Sequence, residues 1–315
     1  MHSLGTGPKE RIMVIANPAS SHGRTRRRWP EIEGLFKQER LEYESRFTRR
    51  PGDAACLTSE ALRGGYREIV CVGGDGTLSE VVTGFFNENG EPLNPEANLS
   101  VISMGTGSDF SRTLGLSREL IPAVQRIKKG TPTPLDVGRA HFLNNKGEKV
   151  TWHFINILGL GLDGETVERV NRTSKAAGGF LSFLWGAVVS LLLYRPKEMQ
   201  VIIDGKELMN QRITLLVIAN GRYFGGGMKI APTARMDDGL FDIVVVEGIN
   251  KFLLLSKLYK VYQGSHLPDP RVWHFRGQKV AVYAREEVLI DMDGEQPGKA
   301  DLEVEILPAS LKVRI

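Results

Sequence analysis

The feature that most constrains this chain is Gly73-Gly74-Asp75-Gly76-Thr77, set between an apolar run, Glu68 to Val72, and a helical pattern, Leu78 to Phe86. Glycines at such a turn permit positive φ and close backbone approach. Several N–H groups can then converge on phosphate oxygens at a helix N-terminus, with Thr77 placed to cap that helix. No Lys follows the glycines and the spacing is not GxGxxG, so neither common nucleotide fingerprint applies. Alone, the turn fits a plain tight bend equally well. Two further polar turns change the weight of it. Asn17-Pro18-Ala19-Ser20-Ser21-His22-Gly23 follows the apolar run Ile12 to Ile15, and Gly105-Thr106-Gly107-Ser108-Asp109-Phe110-Ser111-Arg112 follows Ser100 to Ser103. Three such turns at successive strand ends line one edge of a sheet and surround a nucleotide.

The rest of the first half alternates in the same way. Tyr43 to Phe47 reads as a strand, and helical patterns cover Arg24 to Gln38, Asp53 to Leu62 and Ile121 to Lys128. That alternation predicts a parallel sheet covered by helices. After Asp136 the pattern becomes short alternating runs separated by turn residues. Val201 to Ile203 stops at the hairpin dipeptide Asp204-Gly205, and Ile213 to Ile218, Phe241 to Val246, Val280 to Tyr283, Val288 to Met292 and Leu302 to Ile306 follow. Leu311 to Ile315 alternates once more. The expected organisation is an α/β unit over 1–136 together with the terminal strand 307–315, and a β unit over 137–306.

At 315 residues with 41 Lys and Arg against 37 Asp and Glu, the chain is long enough for two cores and too balanced in composition for disorder. Its two cysteines, Cys56 and Cys71, have neither CxxC nor histidine spacing, which excludes a disulfide scaffold or zinc site. The histidines show no metal spacing. Met1 to Glu10 lacks the parts of a signal peptide, so the chain is read as cytoplasmic. Ala176 to Tyr194 carries no charge and approaches the length of a membrane span, but its glycines and serines and its strand-like flanks favour a helix packed on the β unit or touching a membrane surface. Phe252 to Val261 is amphipathic with interleaved lysines. Arg24, Arg26, Arg27 and Arg28 form a basic cluster, read first as a solvated helix face.

Taken in order, these segments resemble the diacylglycerol kinase catalytic-domain family. The resemblance rests on Asn17 to Ser20, on Thr48 followed by Gly52, Asp53 and Ala54, and on GGDGTLSE at Gly73 to Glu80. It continues through GTGSDFSR at Gly105 to Arg112, LDVG at Leu135 to Gly138, Phe154 to Gly164, Asn220 to Asp242, and MDGE at Met292 to Glu295. It implies a Rossmann-like nucleotide domain related to those of NAD kinase and phosphofructokinase, a C-terminal β-sandwich holding a lipid, and ATP in the cleft. On that resemblance Asn17, Pro18, Ser20, Thr48, Gly73, Gly74, Asp75, Gly76, Thr77, Glu80, Gly105 and Thr106 bind ATP. Asp75 faces its phosphates and Mg²⁺, and Asp109 supports the site. A structural Mg²⁺ is held by the Asp238 carboxylate and the carbonyls of Arg235 and Leu240, with Asp237 nearby; a turn needing no metal is the alternative. The second loop departs from the family's GTxNDFAR at Ser108 and Ser111.

A kinase acting on an alcohol needs a carboxylate to orient the hydroxyl and take its proton. Asp293 and Glu295 stand at i and i+2, on one side of an extended chain. The resemblance puts the general base here, Glu295 first and Asp293 as its partner or alternative, against a reading of solvated turn acids. The expected function is transfer of the γ-phosphoryl group of ATP to diacylglycerol or a similar lipid alcohol, with Mg²⁺ as cofactor. The expected partners are that lipid and a membrane surface, with a homodimer left open and no nucleic acid. NAD phosphorylation and a non-catalytic nucleotide- or lipid-binding regulator are the alternatives.

Overall fold

The computed structural model describes residues 11–173, 193–248 and 251–315. Of the stretch 176–194, all but Leu193 and Tyr194 lies outside the described residues. Among the described residues no helix is long and apolar enough to cross a membrane.

Four strands, β1 (Ile12–Ala16), β2 (Tyr43–Phe47), β3 (Glu68–Gly73) and β4 (Asn98–Ser103), run parallel in the order β2-β1-β3-β4. Alternation along β1 divides the core between its two faces. Val14 packs with Ile32 and Phe36 of α1 (Ser20–Gln38) and Val124 and Ile127 of α5 (Leu120–Lys129). Met13 and Ile15 turn the other way, toward Leu62 of α2 (Asp53–Arg63) and Leu78 and Val82 of α3 (Asp75–Thr83). With both faces covered, every residue of β3 is buried. The helix expected from Arg24 does begin there in effect, because Ser21, His22 and Gly23 take left-handed φ values of 49°, 56° and 77°. Three successive left-handed residues cost roughly 1–2 kcal/mol for each that is not glycine.

The second half holds β5 (Pro132–Asn144), β6 (Lys149–Phe154), β7 (Ile157–Gly161), α6 (Leu162–Thr173), β8 (Lys197–Ile203), β9 (Lys206–Ala219) and β10 (Phe241–Glu247). It continues with α7 (Lys251–Gln263), β11 (Val272–Gly277), β12 (Lys279–Ala284), β13 (Ile290–Met292) and β14 (Gly298–Arg314). Its inward residues, among them Phe154, Leu216, Phe241, Ile290 and Val304, form a core of their own. The Asp204-Gly205 turn has φ of 49° and 78°, which suits the hairpin joining β8 to β9. Two expected strands, Leu302 to Ile306 and Leu311 to Ile315, are one: β14 runs on past a register shift between Leu307 and Leu311.

β14 joins the two halves. It pairs antiparallel with β5 for most of its length, and its end lies parallel to β4, Lys312 opposite Asn98 and Val313 opposite Leu99. Beside that end the Arg314 guanidinium donates at 2.7 Å to Glu68, whose other oxygen accepts from Ser100 at 2.6 Å. Both members of the ion pair are buried. The hydrogen-bonded path is therefore continuous from β2 to β11.

Candidate functional site

The three polar turns meet at the carboxyl ends of β1, β3 and β4. Asn17 N–H donates to Val72 O at 3.0 Å, and Thr48 N–H donates to Ala16 O at 3.0 Å, so Asn17 and Thr48 continue the ladder side by side. Pro18 and Ser20 follow, half-buried, with the Ser20 hydroxyl 3.5 Å from where a Cβ on Gly74 would stand. Gly105 passes so close to Gly74 that a Cβ on it would lie 2.8 Å from the Gly74 Cα. A Cβ on Gly73 would come within 2.6 Å of Thr77. Any larger residue at Gly105 would push the two loops apart.

Two side chains depart from the sequence expectation. Thr77 does not cap α3: the N-cap is Gly74 with no side-chain bond, and the Thr77 hydroxyl instead accepts from the Asn17 amide at 3.0 Å. Glu80 turns away from the loop and accepts from Gly52 N–H at 2.9 Å and Ala54 N–H at 3.1 Å. It thus satisfies the start of α2, whose N-cap Gly52 has φ of 87°. Ser108, where the family carries Asn, sits at φ 52° and closes back on Gly105 O at 3.1 Å. A left-handed position explains why Asn suits it better. Thr106 is exposed, and its carbonyl and that of Gly105 accept from Arg118 at 3.4 and 2.9 Å.

Asp75 and Asp109 converge on Gly107. A Cβ on Gly107 would stand 3.1 Å from Asp75 Oδ2 and 3.4 Å from Asp109 Oδ2. Asp75 accepts from the backbone N–H groups of Asp109 and Phe110, at the start of α4 (Asp109–Thr113), at 3.3 and 3.5 Å. Burial raises its pKa against those bonds. Asp109 accepts from Gly226 N–H at 2.7 Å, which docks the Gly225 to Gly227 loop onto the site. Its pKa is raised to about 6, first by burial and then by the Asp75 charge. Among the described residues the buried Asp109 Oδ1 has no hydrogen-bond partner, and Arg112 Nε lies 3.6 Å away. Two crowded carboxyls with an orphaned oxygen fit a hard divalent cation that takes its remaining ligands from phosphate.

The acidic turn of the β half corrects the extended-chain expectation. Met292 and Glu295 exchange N–H···O bonds of 2.8 and 3.0 Å, and between them Asp293 and Gly294 have φ of 51° and 93°. This reversal sends the two acids apart. Asp293 points inward, where Oδ1 accepts from Asn156 N–H at 3.1 Å and Ile157 N–H at 2.8 Å, and Oδ2 from Ile155 N–H at 3.0 Å. Burial still raises it to about 6. Glu295 reaches across the cleft, with Oε1 3.0 Å from the place of a Cβ on Gly76. Partial desolvation, then the Glu80 charge, raises its pKa. Sequence reasoning missed the acid beneath the turn, Asp291, which holds Gly294 N–H at 2.8 Å and is hydrogen-bonded to the Asp163 side chain. Burial raises Asp163 to about 7, and burial together with the Asp163 charge raises Asp291 well above the ordinary carboxylate range.

At the Asp237 to Asp242 turn, Asp238 is ion-paired to Arg276 and accepts from Leu240 N–H at 3.2 Å, while Arg235 pairs with Asp237. Each Asp238 oxygen keeps a lone pair, so a cation held with the Arg235 and Leu240 carbonyls would compete with Arg276 for that carboxylate. Among the described residues no group of three or more His, Cys, Asp or Glu could hold a metal. Asp136, given no role in the sequence, closes the turn by accepting from Gly239 and Ala309 N–H at 2.7 and 2.8 Å. Asn156 has a structural occupation, donating to Tyr223 O at 2.7 Å.

This arrangement has known counterparts. Residues 11–140 match the diacylglycerol kinase catalytic domain, and residues 156–315 match the YegS C-terminal NAD kinase beta sandwich-like domain. The chain belongs to the diacylglycerol kinase catalytic-domain family. It is 29% identical to a diacylglycerol kinase of Bacillus subtilis over 92% of this chain and 91% of that one. A diacylglycerol kinase of Staphylococcus aureus is 28% identical over 92% and 88%. In fold it matches a putative diacylglycerol kinase from Bacillus anthracis with a TM-score of 0.78 at 24% identity, over 100% of this chain and 98% of that one. It matches yeast NADH kinase with a TM-score of 0.52 at 12% identity, over 98% and 83%.

Proposed function

We propose that the protein is an ATP- and Mg²⁺-dependent lipid kinase, transferring the γ-phosphoryl group to the hydroxyl of diacylglycerol or a similar lipid alcohol. The observation that carries this reading is the position of Glu295, a carboxyl with raised proton affinity held over Gly76 in the glycine turn. The names of the relatives support the lipid alcohol. Asn17, Pro18, Ser20, Thr48, the Gly73 to Thr77 turn, Gly105 and Thr106 border the nucleotide, with loop N–H groups and the start of α3 turned to its phosphates.

Asp75 and Asp109 would hold Mg²⁺, which when bound supplies charge neutralisation at the phosphates. Glu295 accepts a hydrogen bond from the lipid hydroxyl and takes its proton as the hydroxyl oxygen bonds to the γ-phosphorus and the bond to the β,γ-bridging oxygen breaks. Asp293 acts as a positioning residue, since three backbone N–H groups already claim its carboxylate. The ATP unit spans 1–136 with 307–315 and the lipid unit 137–306. We place the enzyme in the cytoplasm at a membrane surface. Exposed Leu255 and Tyr259 on α7 and Trp273 on β11 support contact with lipid.

The test is transfer of labelled γ-phosphate from Mg·ATP to a total lipid extract, with the product identified by mass. A phosphorylated lipid that disappears with Glu295→Ala and Asp75→Ala is expected. ATP binding without any labelled lipid refutes the reading.

A further inference from the structure

Behind the second glycine turn lies a cavity of about 470 Å³ between the start of α1 and the start of α5. Arg24, Arg28, Arg118, Ser103 and Ile121 are among the residues that line it, and the Ser103 hydroxyl is hydrogen-bonded to that of Ser111 at 2.5 Å. Their charges are unequally matched. Arg28 is held by Glu31 through two bonds of 2.8 Å and contributes little net charge. Among the described residues Arg118 donates only to the carbonyls of Gly105 and Thr106 and has no carboxylate partner in contact, and Arg24 has no ion pair. Glu119, the other acid of the lining, is exposed at the N-cap of α5 and makes no side-chain cap bond. Ile121 is 58% exposed.

We propose that this cavity is an anion subsite for a phosphate group, distinct from the nucleotide turns and coupled to them. Arg24 and Arg118 supply guanidinium donors that match phosphate oxygens, with the Ser103 hydroxyl and the first N–H groups of α5 beside them. Phosphate drawn to Arg118 shares it with the carbonyls that shape the Gly105 turn. Occupancy is therefore felt at the Gly105 turn, which packs on Gly74 beside the proposed ATP site. The phosphate can come from a soluble ion or from the headgroup of an anionic phospholipid, in which case Ile121 enters the interface. The cavity stands on its own geometry; its coupling to phosphoryl transfer and its membrane arm rest on the kinase reading.

Two probes on the intact protein separate these sources: inorganic phosphate followed by calorimetry, and vesicles of phosphatidylcholine with and without phosphatidylglycerol followed by co-sedimentation. Arg24→Gln should weaken phosphate binding roughly tenfold, and Arg28→Gln by less, because Glu31 already claims that side chain. Vesicle binding should need phosphatidylglycerol and fall roughly fivefold with Arg24→Gln. Ile121→Ser then names the source: loss of vesicle binding with phosphate binding intact assigns the headgroup, and no effect on either assigns the soluble ion. The proposal is overturned if neither probe binds, if Arg24→Gln and Arg28→Gln bind both as the unaltered protein does, or if saturating Mg·ATP abolishes phosphate binding. The last result would make the cavity one end of the nucleotide site. Absence of lipid phosphorylation, with Arg24-dependent phosphate binding retained, would refute the kinase reading and leave the subsite.

Discussion

The turn from Gly73 to Thr77 and the turn from Met292 to Glu295 face one another, and they are built on opposite principles. In the first, small residues let backbone crowd backbone, Gly74 against Gly105, and the polar groups on offer are main-chain N–H. In the second, backbone N–H groups are consumed: three of them bind Asp293, and Asp291 binds a fourth from Gly294. What the second turn leaves over is a single carboxyl, Glu295, aimed at the first. An acid in a turn is thus an anchor or a reagent according to how many donors the fold has already turned toward it.

On the proposed kinase reading, Asp75→Asn gives the largest expected effect, loss of about three orders of magnitude in phosphoryl transfer rate with little change in melting temperature, because it removes a carboxylate that would face Mg²⁺ and phosphate. Steady-state rates beside thermal melts check this. Asp293→Asn sharpens the contrast: the amide NH₂ must face a backbone N–H, so stability should fall by about 3 kcal/mol in urea unfolding. A purely catalytic loss with unchanged stability would put Asp293 on the reagent side.

Asp109→Asn should move stability in the other direction. Its folded pKa, about 6, lies above the ordinary carboxylate value, so the folded state binds more protons and stability declines as pH rises from about 4 to about 6. Removing the ionisable group should raise stability at pH 7 by on the order of 2 kcal/mol and flatten the pH dependence over that window. Melting curves across pH decide it. The smallest expected effect belongs to Gly76→Ala. The added methyl meets the flexible end of Glu295 at 3.0 Å, which can give way, so transfer should slow about tenfold through misplacement of that carboxyl.

Much of the α/β half was legible because its signals are local: apolar runs end in glycine, and the predicted strand Tyr43 to Phe47 and helix from Asp53 are found at those places. β5, β6, β7 and β11 were not foreseen. β5 begins Pro132-Thr133-Pro134 and takes its place from β14, far along the chain, which no local pattern records. The same limit governed the site. Glu80 lies in a motif that points to nucleotide, yet the loop before α2 claims it, and Asp136 finds its donors in segments remote in sequence. At Asp293 and Glu295 the residue types were informative and their shared direction was not, because two positive φ angles in succession replace the extended chain.

The central claim is that Glu295 is the reagent of its turn while Asp293 is the anchor. Single-turnover transfer of γ-phosphate to lipid by Glu295→Gln, with ATP affinity and melting temperature measured on the same preparation, tests it most directly. A fall of about two orders of magnitude in the transfer rate, with affinity and melting temperature unchanged, is predicted. A rate within a few-fold of the unaltered protein would contradict it.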